Sequence, residues 1–149
     1  MKVFDITTYG AVGDDSTDNT SAITAAIDAA STYGGAVYIP YGTFRSGQIS
    51  LKSNVSIFGD GWGSCLKLKN SGDNFLLAST DATDYLDDIV IRNLRIDGNK
   101  ANNTTSGGIL LNGRRNAVHH CYIHDTTASA IQSGAPSNGG TVRESDRRI

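Results

Sequence analysis

The sequence predicts an all-β chain wound as a single-stranded parallel β-helix of about four to five coils, closed at its N-terminal end by one amphipathic helix. Three observations lead there. Gly, Ser, Thr and Asn supply 57 of the 149 residues, whereas Lys supplies five and Glu one, a balance that favours short strands and many turns over a helical bundle. Only one segment carries a helical period. After it, pieces of the form apolar-x-apolar recur about every 22 to 27 residues with no helix between them, the spacing of one coil turn.

The helix is expected at about residues 20–31, where Ile23, Ala26, Ile27 and Ala30 fall at i, i+3, i+4 and i+7 on one face. Asp18 or Thr17 can cap its start by accepting from free backbone N–H groups, and Gly34-Gly35 stops it. Laid across the first coil, such a helix covers an open apolar core and an unpaired strand edge. Residues 1–35 thus read as a cap, residues 36–142 as coils, and residues 143–149 as an irregular charged tail, all within one domain.

Val37-Tyr38-Ile39 ends at the turn Pro40-Tyr41-Gly42, and strand-like pieces follow. Asn54-Val55-Ser56-Ile57-Phe58-Gly59 resembles Asn93-Leu94-Arg95-Ile96-Asp97-Gly98 and His120-Cys121-Tyr122-Ile123-His124-Asp125. The step from Asn93 to His120 marks the long end of the repeat, and the step from Ile109 in Gly108-Ile109-Leu110-Leu111 to Ile131 in Ala130-Ile131-Gln132 marks the short end. This pattern points Ile57, Ile89, Ile91, Leu94, Ile96, Val118, Cys121 and Ile123 inward. It sets Asn54, Asn93 and His120 at corresponding corners, where stacked amides can bond from turn to turn. At the far end Arg147 would occupy an inward position, so the repeat stops uncapped: further coils, a neighbouring subunit such as that of a homotrimer, or a disordered segment would answer that end.

A net charge of −2 offers no basic field for nucleic acid, and no apolar run approaches a membrane span or a signal-peptide core. Cys65 and Cys121, far apart in the chain, make neither a zinc motif nor a disulfide framework and read as buried free thiols.

The dense titratable cluster is His119, His120, His124 and Asp125, and imidazoles beside a carboxylate suit acid–base work near neutral pH. His120 reads as a corner, His119 as solvent-facing, and His124 as the start of the next turn. With Asp97, the residues His124 and Asp125 are the catalytic candidates; Trp62, His119 and Tyr122 are the substrate-binding candidates. Trp62 stands out because Gly61 and Gly63 leave it uncovered, as a ring platform for a sugar must be. Tyr38 and Tyr41 are further aromatic candidates. Asp14, Asp15 and Asp18 have the oxygen chemistry of a calcium site, but capping and turn formation account for them; Asp87-Asp88 likewise reads as a turn. No metal set or other cofactor is assigned.

The run Phe4-Asp5-Ile6-Thr7-Thr8-Tyr9-Gly10-Ala11-Val12-Gly13-Asp14-Asp15-Ser16-Thr17-Asp18-Asn19-Thr20, with Ala22-Ile23, Ala26-Ile27 and Gly35-Ala36-Val37-Tyr38-Ile39-Pro40-Tyr41-Gly42-Thr43-Phe44, resembles the cap and first coils of the pectate lyase-like right-handed β-helix superfamily. The resemblance implies a right-handed coil, a polysaccharide or cell-surface glycan as partner, and an extracellular or virion-associated setting. It is specific for fold rather than reaction, because the matched residues build the cap. Ser46-Gly47-Gln48-Ile49-Ser50-Leu51-Lys52-Ser53-Asn54-Val55 is similar in style to polygalacturonases, whose hydrolysis needs carboxylates around the glycosidic bond. Those acids would fall near Thr105-Ser106-Gly107 and Thr127-Ala128-Ser129, where this chain has none. Asp97-Gly98-Asn99 resembles a turn of the mannuronan epimerases, but their Tyr-Gly-Phe-Asp-Pro-His segment corresponds to Ser129-Ala130-Ile131-Gln132-Ser133-Gly134. The resemblance therefore implies the N-terminal part of a pectin or polyuronate hydrolase or lyase without recognisable catalytic carboxylates. The alternative is a non-catalytic, trimeric phage tail-spike or appendage module.

Overall fold

Three parallel sheets run along the axis because every turn of the chain contributes one strand to each. The computed structural model describes residues 1–80 and 85–133, together with the backbone of a strand at Val142–Glu144. The cap holds β1 (Val3–Asp5), a 3-10 turn (Ile6–Tyr9), β2 (Asp14–Asp18) and α1 (Thr20–Tyr33). The first coil comprises β3 (Ala36–Ile39), β4 (Gly42–Ser46) and β5 (Ile49–Ser50), and the second β6 (Ser56–Gly59), β7 (Ser64–Leu68) and β8 (Phe75–Ala78). The third comprises β9 (Val90–Arg92), β10 (Arg95–Asp97) and β11 (Gly107–Leu111), and the fourth β12 (Asn116–His119), β13 (Tyr122–His124) and β14 (Ile131–Ser133); β15 (Val142–Glu144) opens another. The first sheet runs β1-β3-β6-β9-β12-β15, the second β2-β4-β7-β10-β13, and the third β5-β8-β11-β14. The result is a right-handed β-helix. Beyond Glu144, the expected irregular tail and the inward placement of Arg147 lie outside the described residues.

Register fills the core. Val37, Ile57, Ile91 and Val118 pair in the first sheet, Phe44, Leu66, Ile96 and Ile123 in the second, and Ile49, Leu77, Ile109 and Ile131 in the third. All are buried except Ile123 and Ile131, which lie half-buried on the fourth coil. The inward set read from the sequence is thus the core set, and both repeat steps, Ile96 to Ile123 and Ile109 to Ile131, are true pairings.

Coil length varies more than the repeat suggested. Along the first sheet the step is shortest from Val37 to Ile57, longest from Ile57 to Ile91 and intermediate from Ile91 to Val118. The long turn absorbs its extra residues between β8 and β9, because only the strands must keep register and loops take insertions cheaply.

This overturns one corner assignment. Asn54 (φ 64°) shares its corner, ahead of the first sheet, with Asp88 (φ 61°) and Arg115 (φ 56°), whereas Asn93 (φ 56°) and His120 (φ 53°) bend the chain from first to second sheet. The motif starting at Asn54 matched by side-chain alternation alone, which every strand of the coil shares. An amide ladder does exist, on the corner leaving the second sheet, where Asn99 Nδ2 donates to Asn70 Oδ1 at 3.0 Å.

The cap follows its pattern closely. Ile23, Ala26, Ile27 and Ala30 form the buried face of α1, and Asp18 Oδ1 accepts from the Thr20 N–H at 3.0 Å; the Thr17 hydroxyl turns instead to Asp14. Gly34 (φ 65°) ends the helix, donating to the Ala30 carbonyl. Residues 14–18 are not a plain loop: they form β2, a bulged edge strand beside β4 whose exposed side chains show no apolar alternation. No described helix is long and apolar enough to cross a membrane.

Candidate functional site

The outer face of the second sheet collects the polar chemistry. Because side chains alternate across a strand, the register stacks Asp18, Arg45, Lys67, Asp97 and His124 in one outward row, with Thr43, Cys65, Arg95 and Tyr122 in the next. Asp15 bridges the first row, its carboxylate 2.7 Å from Arg45 Nε and 3.5 Å from Lys67 Nζ. Burial alone would raise the Asp15 carboxyl, yet these two cations hold it below the usual carboxylate range. The Thr20 hydroxyl and N–H, with Lys69, do the same for Asp18, and the Thr17 and Ser16 bonds for Asp14. All three cap aspartates are thus engaged as turn, cap or ion-pair acceptors.

At the C-terminal end of this row lies a pocket of about 210 Å³ lined by Lys67, Asp97, Asn99, Lys100, Ala101 and Asp125. That is smaller than the roughly 300–1,000 Å³ of a site enclosing a whole ligand, so it suits one part of a chain lying across the face. Its shape depends on Gly98: a Cβ there would come within 2.6 Å of the Asp125 carbonyl, so only glycine lets the two coils close at this corner. Asp97 Oδ1 accepts from the Asn99 N–H at 2.7 Å, and Asn99 takes a left-handed φ of 49°. His124 Nδ1 lies 2.7 Å from Asp125 Oδ2, while Lys100 Nζ lies 3.4 Å from Asp125 Oδ1. The His124 contact, and after it Lys100, keeps Asp125 below the ordinary carboxylate range. With Nδ1 donating to Asp125, the enclosed Nε2 of His124 has no partner among the described residues.

Asp97, His124 and Asp125 each offer one ligand atom within 4.8 Å of the others. A small cation matches that spacing. Lys100, however, already compensates Asp125, and Lys67 faces the same pocket, so the site's positive charge comes from its own side chains.

Beside the pocket runs an aromatic strip. Tyr122 stacks on His124 with centroids 4.7 Å apart, and Trp62 reaches Tyr122 at 5.1 Å from two coils away. Trp62 is 48% exposed and Tyr122 36%. Tyr41 lies over Gly63 on the same corner, so close that a Cβ on that glycine would meet the ring.

Five of the six residues singled out from the sequence, Trp62, Asp97, Tyr122, His124 and Asp125, therefore meet on one surface. His119 is the exception. It ends β12 on the outer face of the first sheet, in register with Arg92 and with its Nδ1 2.8 Å from that of His120. Burial, then the charges of His120 and Arg92, pushes it below the usual imidazole range. Nor does His124 begin a new turn: it ends β13, paired with Asp97. Tyr38 lies on the first sheet and donates to Asp60. Asp87 and Asp88 are turn residues that clamp Arg114 and Arg115. Lys67, Arg95, Asn99 and Lys100 were missed. Setting Leu66 against Ile96 would have exposed Lys67, but that step is longer than any in the repeat visible in the sequence. Both cysteines are free and buried.

Comparison with known proteins agrees with this architecture. Over 111 residues, 66% of the chain, it is 39% identical to alginate lyase 7 of Azotobacter vinelandii, and spans only 13% of that protein's length. Over 56 residues, 38% of the chain, it is 50% identical to an exo-poly-alpha-D-galacturonosidase of Dickeya chrysanthemi, spanning 9% of it. The solved A-module of the Azotobacter vinelandii mannuronan C-5 epimerase AlgE4 superposes with a TM-score of 0.78 at 25% identity, over 89% of this chain and 42% of that one. Residues 3–135 match the family described as rhamnogalacturonase A/epimerase, pectate lyase-like, and the chain belongs to that family.

Proposed function

We propose that this chain binds a polysaccharide laid along the second sheet, with sugar rings stacked on Trp62 and Tyr122 and polar groups engaged by Lys67, Asp97, Lys100 and Asp125. The observation that carries this reading is the continuity of the exposed Trp62–Tyr122–His124 strip with the pocket on the same face. Aromatic faces supply large rigid contact at low entropic cost, and a few convergent polar groups fix orientation. Relatives named for action on alginate and polygalacturonate support the substrate class.

Trp62 is the sole tryptophan, so its fluorescence reports this surface directly. Titration with fragments of pectin, alginate, β-glucan and bacterial capsule is expected to shift its emission with at least one of them. By calorimetry, Trp62→Ala weakens that ligand about tenfold or more while leaving the thermal transition in place. No response across the panel refutes the reading.

A second reading, turnover, is favoured by one feature: Asp125 engages His124 Nδ1 beside a second carboxylate, Asp97, which gathers an imidazole and two acids at one place. Reducing ends or ultraviolet-absorbing unsaturated products, lost in His124→Gln and Asp97→Asn, are its signature; silence on every glycan that binds refutes it. The trimeric appendage alternative is tested by light scattering, where a stable trimer supports it and a monomer weakens it.

A further inference from the structure

Arg95 is, among the described residues, a cation without a counterion on this face. Among the described residues, Arg45, Arg114 and Arg115 each pair with an aspartate, and Arg92 lies over the Phe58 ring at 4.8 Å. Arg95 has no carboxylate within ion-pair distance among them, and its Nε is buried without any acceptor. In register it lies between Cys65 and Tyr122, on the coil that separates Trp62 from Tyr122. Burial raises the Cys65 thiol above its ordinary range, and the Arg95 guanidinium is raised by its contact with the Cys65 side chain first and by Asp97 after it. With Nε closed off from solvent, the two terminal nitrogens of the guanidinium remain as a planar fork of donors that matches a carboxylate.

Resting on the polysaccharide reading above, we propose that Arg95 is the specificity-determining residue of the groove, binding the carboxylate of an acidic sugar whose ring lies on the Trp62–Tyr122 pair. The aromatic pair then fixes the ring, and Arg95 selects uronate units over neutral ones. An ester or a neutral hexose at this position leaves the guanidinium unpaired and is disfavoured for that reason.

The test uses the full chain with oligogalacturonate and oligomannuronate, each beside its methyl ester, titrated by calorimetry and by Trp62 fluorescence. Wild type is expected to prefer at least one acid over its ester by about tenfold or more, and Arg95→Met to bring that ratio close to one. Arg95→Lys, which keeps the charge but loses the fork, is expected to fall between them and serves if the Met variant does not fold. A preference that survives in Arg95→Met, or wild type that binds acid and ester alike, overturns the assignment to Arg95 while the polysaccharide reading stands. Failure of wild type to bind any glycan, charged or neutral, overturns both.

Discussion

Cys121 allows the packing of the coil to be tested by pH. Its thiol is fully buried at the corner ahead of β13, donating toward the carbonyls of His119 at 3.5 Å and Ile91 at 3.7 Å. Burial raises its pKa from 9.0 to about 11. The folded value exceeds the unfolded one, so the unfolded chain gives up its proton first. The stabilisation is complete below about pH 9 and is lost as pH rises through about 11. Two pKa units correspond to about 2.7 kcal/mol, of which about 1.4 is lost by about pH 10 and about 2.3 by about pH 11. Other ionisable side chains also lose protons at alkaline pH, so Cys121→Ala is the reference. Urea unfolding of both proteins in reductant at about pH 8 gives the cost of removing the sulfur, and at about pH 11 that gap is expected to shrink by about 2 kcal/mol. A gap constant to within about 0.5 kcal/mol across that range would refute the argument that the thiol is held in a dry core.

Gly98→Ala places a Cβ within 2.6 Å of the Asp125 carbonyl, a backbone atom that cannot swing aside. It is expected to cost about 1–3 kcal/mol by denaturant unfolding and, because Asp97 and Asp125 flank that corner, to weaken glycan binding as well. Leu66→Ala removes a fully buried side chain from the middle of the second sheet's inward row and is expected to cost about 2–5 kcal/mol in the same assay. Asp87→Ala releases the exposed Arg114 side chain and leaves Arg115 to Asp88, so the ion-pair part of its destabilisation is expected to be small and to fade as salt is raised from low to high in thermal melts.

Much was legible in the sequence alone: the buried face of α1, the inward residues from Ile57 to Cys121, the pairings of Ile96 with Ile123 and of Ile109 with Ile131, and a tryptophan left exposed by flanking glycines. Periodicity determines which way a side chain points, because strand and helix geometry are local, and the glycines act on their immediate neighbours. The tertiary structure alone decided what lies opposite what. Asn54 shares a corner with Asp88 and Arg115 rather than with Asn93; β2 exists because β4 lies beside it; and Trp62 meets Tyr122 from two coils away. Lys67 faces Asp97, and Arg95 has no counterion among the described residues, for the same reason. Register along the axis is the running sum of coil lengths, short from Val37 to Ile57, long from there to Ile91 and intermediate to Val118, and loops absorb those differences without leaving a mark on the alternation that the strands share.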